Sequence, residues 1–119
     1  MNGVIDEADR ALLKVRIGRS LSDRNEVTVW IDTAFDGHFV INRATIEKLN
    51  LDSLAKTEAK LADGGTVTLQ SYVAFTEWFG QPMAVQVVEG EGRLPLLGTA
   101  LLSGRRLLLD YAAGKLTLD

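Results

Sequence analysis

Cysteine is absent from this chain of 119 residues, and histidine occurs once, at His38. The first absence excludes disulfide scaffolds, thiolate metal sites and a cysteine nucleophile. The second excludes histidine-cluster metal sites and leaves a Ser-His triad poorly supplied. An excess of positive charge is also lacking: 13 basic side chains face 16 acidic ones, a net of −3, and no Lys/Arg-rich block stands out. A phosphate-tracking face is therefore not expected, and with it no nucleic-acid partner. The longest uncharged Leu-rich stretch, Leu94 to Gly104, falls far short of the roughly 20 apolar residues of a membrane helix. Met1 to Arg10 carries Asp6, Glu7, Asp9 and Arg10 in place of an apolar leader core. The expectation is a cytoplasmic protein without a membrane partner, whose chemistry rests on carboxylates, hydroxyls or backbone groups.

What is present is enough apolar residue, 46%, to build one core. Residues 1–119 therefore read as a single domain, with residues 1–11 either an interface arm or a frayed end. The patterning is mainly that of short strands. Leu13, Val15 and Ile17 alternate with Lys14 and Arg16; Gly18 to Asn25 reads as a turn or loop; Val27, Val29 and Ile31 resume the alternation up to Asp32. Asn42 is placed to cap a short helix over Ala44 to Leu51. Two hairpins follow, one with its tip at Asp63-Gly64-Gly65 and one turning at Phe79-Gly80-Gln81. Thr99 to Ser103 suits a second short helix stopped by Gly104, and Leu107 to Asp110 and Leu116 to Leu118 flank a turn at Ala112-Ala113-Gly114. The class is all-β, with one or two short helices.

The informative segment is Val27-Thr28-Val29-Trp30-Ile31-Asp32-Thr33-Ala34-Phe35-Asp36-Gly37, in which a hydrophobic strand delivers an acid and a hydroxyl residue into a loop. A carboxylate at the end of a buried strand is held in a defined place. Taken alone, the segment favours Asp32 as the acceptor of an Asx-type turn, taking hydrogen bonds from nearby N–H groups. Asp63 suits the hairpin tip as a turn former. His38 reads as a surface or hydrogen-bonded histidine, since nothing supplies the rest of a triad. Trp30, Tyr72, Trp78 and Phe79 read as core, interface or flap-base residues, because no basic groove accompanies them.

Taken in order, Asp32-Thr33-Ala34 after an apolar strand, Ala62-Asp63-Gly64 at a hairpin tip and Leu96-Leu97-Gly98 before a short helix resemble a retropepsin-like aspartic protease. The likeness is to the small bacterial and archaeal predicted aspartyl proteases, and it covers nearly everything from Glu26 to Asp119, including the ending Leu107 to Leu118. The resemblance implies a closed-barrel acid-protease fold and a homodimer with its site on the two-fold axis, one Asp32 coming from each protomer. By the same resemblance Asp32 is the catalytic residue, and Thr33 is its neighbour, whose hydroxyl ties the two active-site loops together across the dimer. Ala62, Asp63, Gly64 and Gly65 form the flap over a peptide or protein substrate, Ala34 borders the bound main chain, and Leu96-Leu97-Gly98 packs beneath the catalytic loop; Asp36 either anchors that main chain or is a solvated turn acid beside Gly37. Two carboxyl groups sharing one proton serve as base and acid toward a lytic water, so no cofactor and no metal is implied.

Ala34 stands where the family usually carries Gly, and a Cβ there bears on the approach of substrate and, if the site needs positive φ, on backbone strain. Two other readings follow: a weakly active or inactive dimeric peptide-binding module of the same fold, and a structural small β-barrel dimer in which Asp-Thr-Ala is coincidental.

Overall fold

In a computed structural model the backbone of all 119 residues is described, and the side chains of all but Thr57, Ala59 and Lys60. More than half of the residues are in strands. In chain order these are β1 (Asn2–Ile5), β2 (Ala11–Ser20), β3 (Asp23–Ile31), β4 (Phe39–Asn42), β5 (Asp52–Lys60), β6 (Thr66–Trp78), β7 (Gln81–Gly90), β8 (Leu96–Leu97), β9 (Leu107–Asp110) and β10 (Lys115–Leu118). One α-helix, α1 (Arg43–Leu49), follows β4, and a single 3-10 turn, Thr99–Leu101, follows β8. The strands form one sheet in the order β5-β6-β7-β4-β8-β3-β2-β1-β10-β9, with β6 also pairing β2 through Ile17↔Thr76 and Gly18↔Phe75.

The alternating residues of β2 and β3 form the centre of the core. Leu13, Val15, Ile17, Val29 and Ile31 are buried, while Lys14, Arg16 and Trp30 face outward. The expected turn over Gly18 to Asn25 is shorter than its composition suggests. The two strands pair down to Ser20↔Asp23, and the Arg24 side chain closes the turn by donating to the Leu21 carbonyl at 2.9 Å. Polar residues on the exposed phase of a hairpin look like loop in a sequence.

A second difference concerns β6, which is one strand of 13 residues shared by both expected hairpins. Ser71, at its middle, is buried without cost to the strand because its hydroxyl donates to the Ala55 carbonyl at 2.8 Å. Among the described residues, the outer part of the β5–β6 arm lies almost wholly in solvent. This arm is one reason that the radius of gyration, 14.5 Å, exceeds the roughly 13.5 Å typical of this chain length.

The start of α1 follows the sequence, whereas its end, expected at Leu51, falls at Leu49. Asn42 Oδ1 accepts from the Thr45 N–H at 2.9 Å at the start of α1, and Asn50 ends the helix in the left-handed region with φ 53°. Ile46 and Leu49 bury the inner face of α1. Residues 2–5 pair on one side with β10 and on the other with β2. Among the described residues no helix is long and apolar enough to cross a membrane.

Candidate active site

The decisive piece of topology is β8. Its two residues lie between β3 and β4, parallel to β3 through Trp30↔Leu96 and Ile31↔Leu97 and antiparallel to β4 through Phe39↔Leu97 and Val40↔Leu96. The loop joining β3 to β4, residues 32–38, must therefore pass around the end of β8. Main-chain bonds fasten it there. The Asp32 N–H donates to the Leu97 carbonyl at 2.9 Å, and the Gly98 N–H to the His38 carbonyl at 2.8 Å. The Thr99 N–H donates to the Phe35 carbonyl at 2.8 Å, and the Ala100 N–H to the Gly37 carbonyl at 3.3 Å.

Gly98 is required at this junction. A Cβ on it would collide with the Gly37 carbonyl oxygen and with the ring and carbonyl of Phe35. The expectation that Leu96-Leu97-Gly98 packs against the acid-bearing loop thus has a physical cause: fully buried Leu97 anchors β8, and the missing Gly98 side chain lets two backbones touch.

On this support Asp32 sits half-buried at the end of β3, with Thr33, Ala34 and Asp36 exposed around it. Asp32 Oδ1 accepts from the Ala34 N–H at 2.9 Å. This is the Asx-type bond anticipated from the sequence, and it leaves Oδ2 without an intramolecular partner among the described residues. Ala34 does not adopt positive φ; among the described non-glycine residues only Asp9, Asn50 and Phe79 do. Its methyl group therefore brings bulk to the site without backbone strain.

His38 is held as a hydrogen-bonded histidine. Its Nδ1 accepts from the Gln86 N–H at 3.1 Å, and partial burial pushes its pKa below the ordinary value. Asp63 closes the hairpin tip, its Oδ1 accepting from the Gly65 N–H at 2.8 Å, while Gly64 takes the left-handed conformation with φ 88°. Among the described residues the hydrogen bonds of Leu61 to Gly65 at this tip all stay within the hairpin. The structure thus binds the 32–38 and 97–100 segments to one another and leaves the tip carrying Ala62 and Asp63 as a separate exposed arm. Trp78 is a core residue, its indole N–H donating to the Leu101 carbonyl at 3.1 Å. Tyr72, half-buried, donates to Glu89 at 3.1 Å.

Sequence reasoning missed the surroundings of Asp32. A depression of about 390 Å³ is lined by Trp30, Ile31, Asp32, Thr33 and Leu96. Trp30 and Leu96 also line a second cavity of about 430 Å³, whose other lining residues include Arg10, Arg93 and Leu94. The one sequence signal for this pocket is Trp30, a large aromatic on the outward phase of β3. Arg10 is fixed in the wall: its Nε and Nη2 both lie 2.8 Å from Asp6 Oδ2. The Arg10 main-chain N–H and then its side chain hold the Asp6 carboxyl below the usual carboxylate range. Among the described residues no group of acids or histidine has the arrangement to hold a metal ion.

Known structures share this architecture. A retropepsin-like aspartic protease from Rickettsia conorii superposes with a TM-score of 0.70 over 99% of this chain and 88% of its own, at 16% identity. EIAV protease, in complex with the inhibitor HBY-793, gives a TM-score of 0.59 over 82% of this chain and 89% of its own, at 20% identity. No protein-family model and no curated protein sequence matches the chain. The fold is retropepsin-like.

Proposed function

We propose that the protein is an aspartic endopeptidase that hydrolyses peptide bonds with a water activated by two Asp32 carboxyl groups, one from each protomer of a homodimer. The observation that carries this reading is the seat of Asp32: a carboxylate at the open end of β3, locked by β8 in a retropepsin-like fold, with one oxygen oriented by the Ala34 N–H and the other open. Two such groups near a two-fold axis cannot both ionise easily, so one stays protonated. The ionised Asp32 takes a proton from water as the water attacks the scissile carbonyl. The protonated Asp32 of the second protomer donates to the carbonyl oxygen, and the resulting tetrahedral intermediate collapses with proton transfer to the leaving amine. Thr33 braces the two loops against each other.

On this reading residues 1–119 are one retropepsin-like domain acting in the cytoplasm. The exposed arm is its flap, laying Ala62, Asp63, Gly64 and Gly65 over the substrate, and Ala34 and Asp36 border the bound peptide main chain. Metal and cofactor have no part in these steps.

The test is cleavage of a peptide library at mildly acidic pH by the wild type and by Asp32→Asn. Loss of cleavage with an unchanged circular dichroism spectrum supports the reading, and equal cleavage by both proteins removes Asp32 from the chemistry. A second reading, a dimeric peptide-binding module without hydrolysis, is favoured by one observation, the exposed Ala34 methyl group where a substrate backbone would pass. Peptide binding without cleavage by the wild type would establish it.

A further inference from the structure

The cavity beyond Asp32 combines apolar walls with one uncommitted charge. Trp30, Leu94 and Leu96 supply the walls. Arg10 lies at its edge with its guanidinium about 6.0 Å from the Trp30 ring centre, held there by Asp6, which also matches its charge. Arg93 is different. It is exposed, lines both this cavity and an adjoining hollow of about 260 Å³ with Arg10 and Leu94, and among the described residues pairs with no carboxylate.

An entering side chain must satisfy both features. A purely apolar group would fit the walls but would cover Arg93 and strip it of water without return. A lysine or arginine would meet like charge. A side chain with a short methylene stem and a carboxylate head fits both: the stem lies on Trp30, Leu94 and Leu96, and the head pairs with the guanidinium in the planar geometry that arginine favours.

We infer that this cavity is a side-chain subsite selecting glutamate or aspartate in the peptide, with Arg93 as the charge partner and Arg10 as a fixed wall. The inference rests on the peptidase reading in one respect, that a peptide lies across Asp32. The cavity shares Trp30 and Leu96 with the depression at that carboxylate, so the selected residue lies close to the cleaved bond.

The experiment compares peptide libraries in which each position near the cut is fixed in turn as Glu, Gln or Lys, using the full-length protein. Wild type should prefer Glu over Gln by about five- to tenfold at one position, the range of a partly exposed charge-assisted contact, and the preference should shrink as salt is raised. Arg93→Gln should abolish it, Arg93→Lys should keep part of it, and Arg93→Glu should turn it toward Lys. Equal use of Glu and Gln by the wild type, or a preference unchanged in Arg93→Gln and Arg93→Glu, overturns the inference while leaving the peptidase reading standing.

A second measurement, fluorescence anisotropy of labelled Glu and Gln library pools on Asp32→Asn, reads the same selectivity without hydrolysis. Selective binding there supports the subsite even if the wild type cleaves nothing, whereas absence of both binding and cleavage overturns both proposals. Dissociation of a dimer by Arg93→Glu, with no change in the Glu/Gln ratio, would assign the cavity to a second copy of the chain and overturn the subsite.

Discussion

Asp32 and Leu97 are joined main chain to main chain, the Asp32 N–H donating to the Leu97 carbonyl at 2.9 Å, while the Leu97 side chain is wholly buried. The acid is thus positioned by a residue whose own place is set by packing in the core. Leu97→Ala should cost about 2–5 kcal/mol of stability through the cavity it leaves, and cleavage should fall further than the folded fraction does, because Asp32 loses its register. Urea unfolding and cleavage measured on the same samples check this. A loss of activity no greater than the loss of folded protein would show that Leu97 supports the fold without positioning Asp32.

Gly98 gives a sharper test of the same junction. Gly98→Ala forces a methyl group into the Gly37 and Phe35 backbone region, and relief requires moving one of the two loops. The expected cost is about 1–3 kcal/mol, together with loss of cleavage. A variant as stable and as active as the wild type would contradict the packing described for these loops.

Ala34→Gly should act in opposite directions on stability and activity. Ala34 has no positive φ to relieve, so glycine should destabilise by about 0.4–1 kcal/mol through the added freedom of the unfolded chain. Removing the methyl group should raise kcat/KM toward extended peptides. An unchanged or lower kcat/KM would show that the methyl group does not obstruct substrate.

Specific activity should depend on protein concentration. The chain carries one Asp-Thr-Ala segment, so a two-carboxylate site requires two copies, and activity should vanish on dilution below the dimer dissociation constant. Progress curves across a dilution series, compared with sedimentation at the same concentrations, provide the check. Constant specific activity in samples that sediment as monomers would rule out the shared site.

His38 predicts a pH dependence of stability. Burial lowers its folded-state pKa, and its Nδ1 must stay unprotonated to accept from Gln86. Above the unfolded value, near 6.5, both states are neutral and the contribution is complete. As pH falls through that value toward the lower folded pKa, the unfolded chain takes up the proton first, and stability declines. His38→Asn, which keeps an acceptor but does not titrate, should flatten the profile in that window. Urea midpoints at pH steps from about 7.5 to 4.5 test this, and an unchanged slope in the variant would remove His38 as its source.

The local features of the chain were legible in its sequence because they depend on neighbours. Period-two alternation marked β2 and β3, Asn42 marked the start of α1, Asp63-Gly64-Gly65 and Phe79-Gly80 marked turns, and the order of the Asp-Thr-Ala, Ala-Asp-Gly and Leu-Leu-Gly segments pointed to the retropepsin-like fold. Tertiary structure alone decided the rest. It extended β2 and β3 through a polar stretch that looked like loop, and kept β6 continuous by giving Ser71 a partner on another strand. It inserted β8 between β3 and β4, and by doing so turned Trp30 and Leu96 into one wall that Arg10 and Arg93 complete. Alternation, caps and turns are short-range consequences of backbone geometry. The seat of Asp32 and the pocket beside it depend on contacts between segments distant in the chain, which no local pattern encodes.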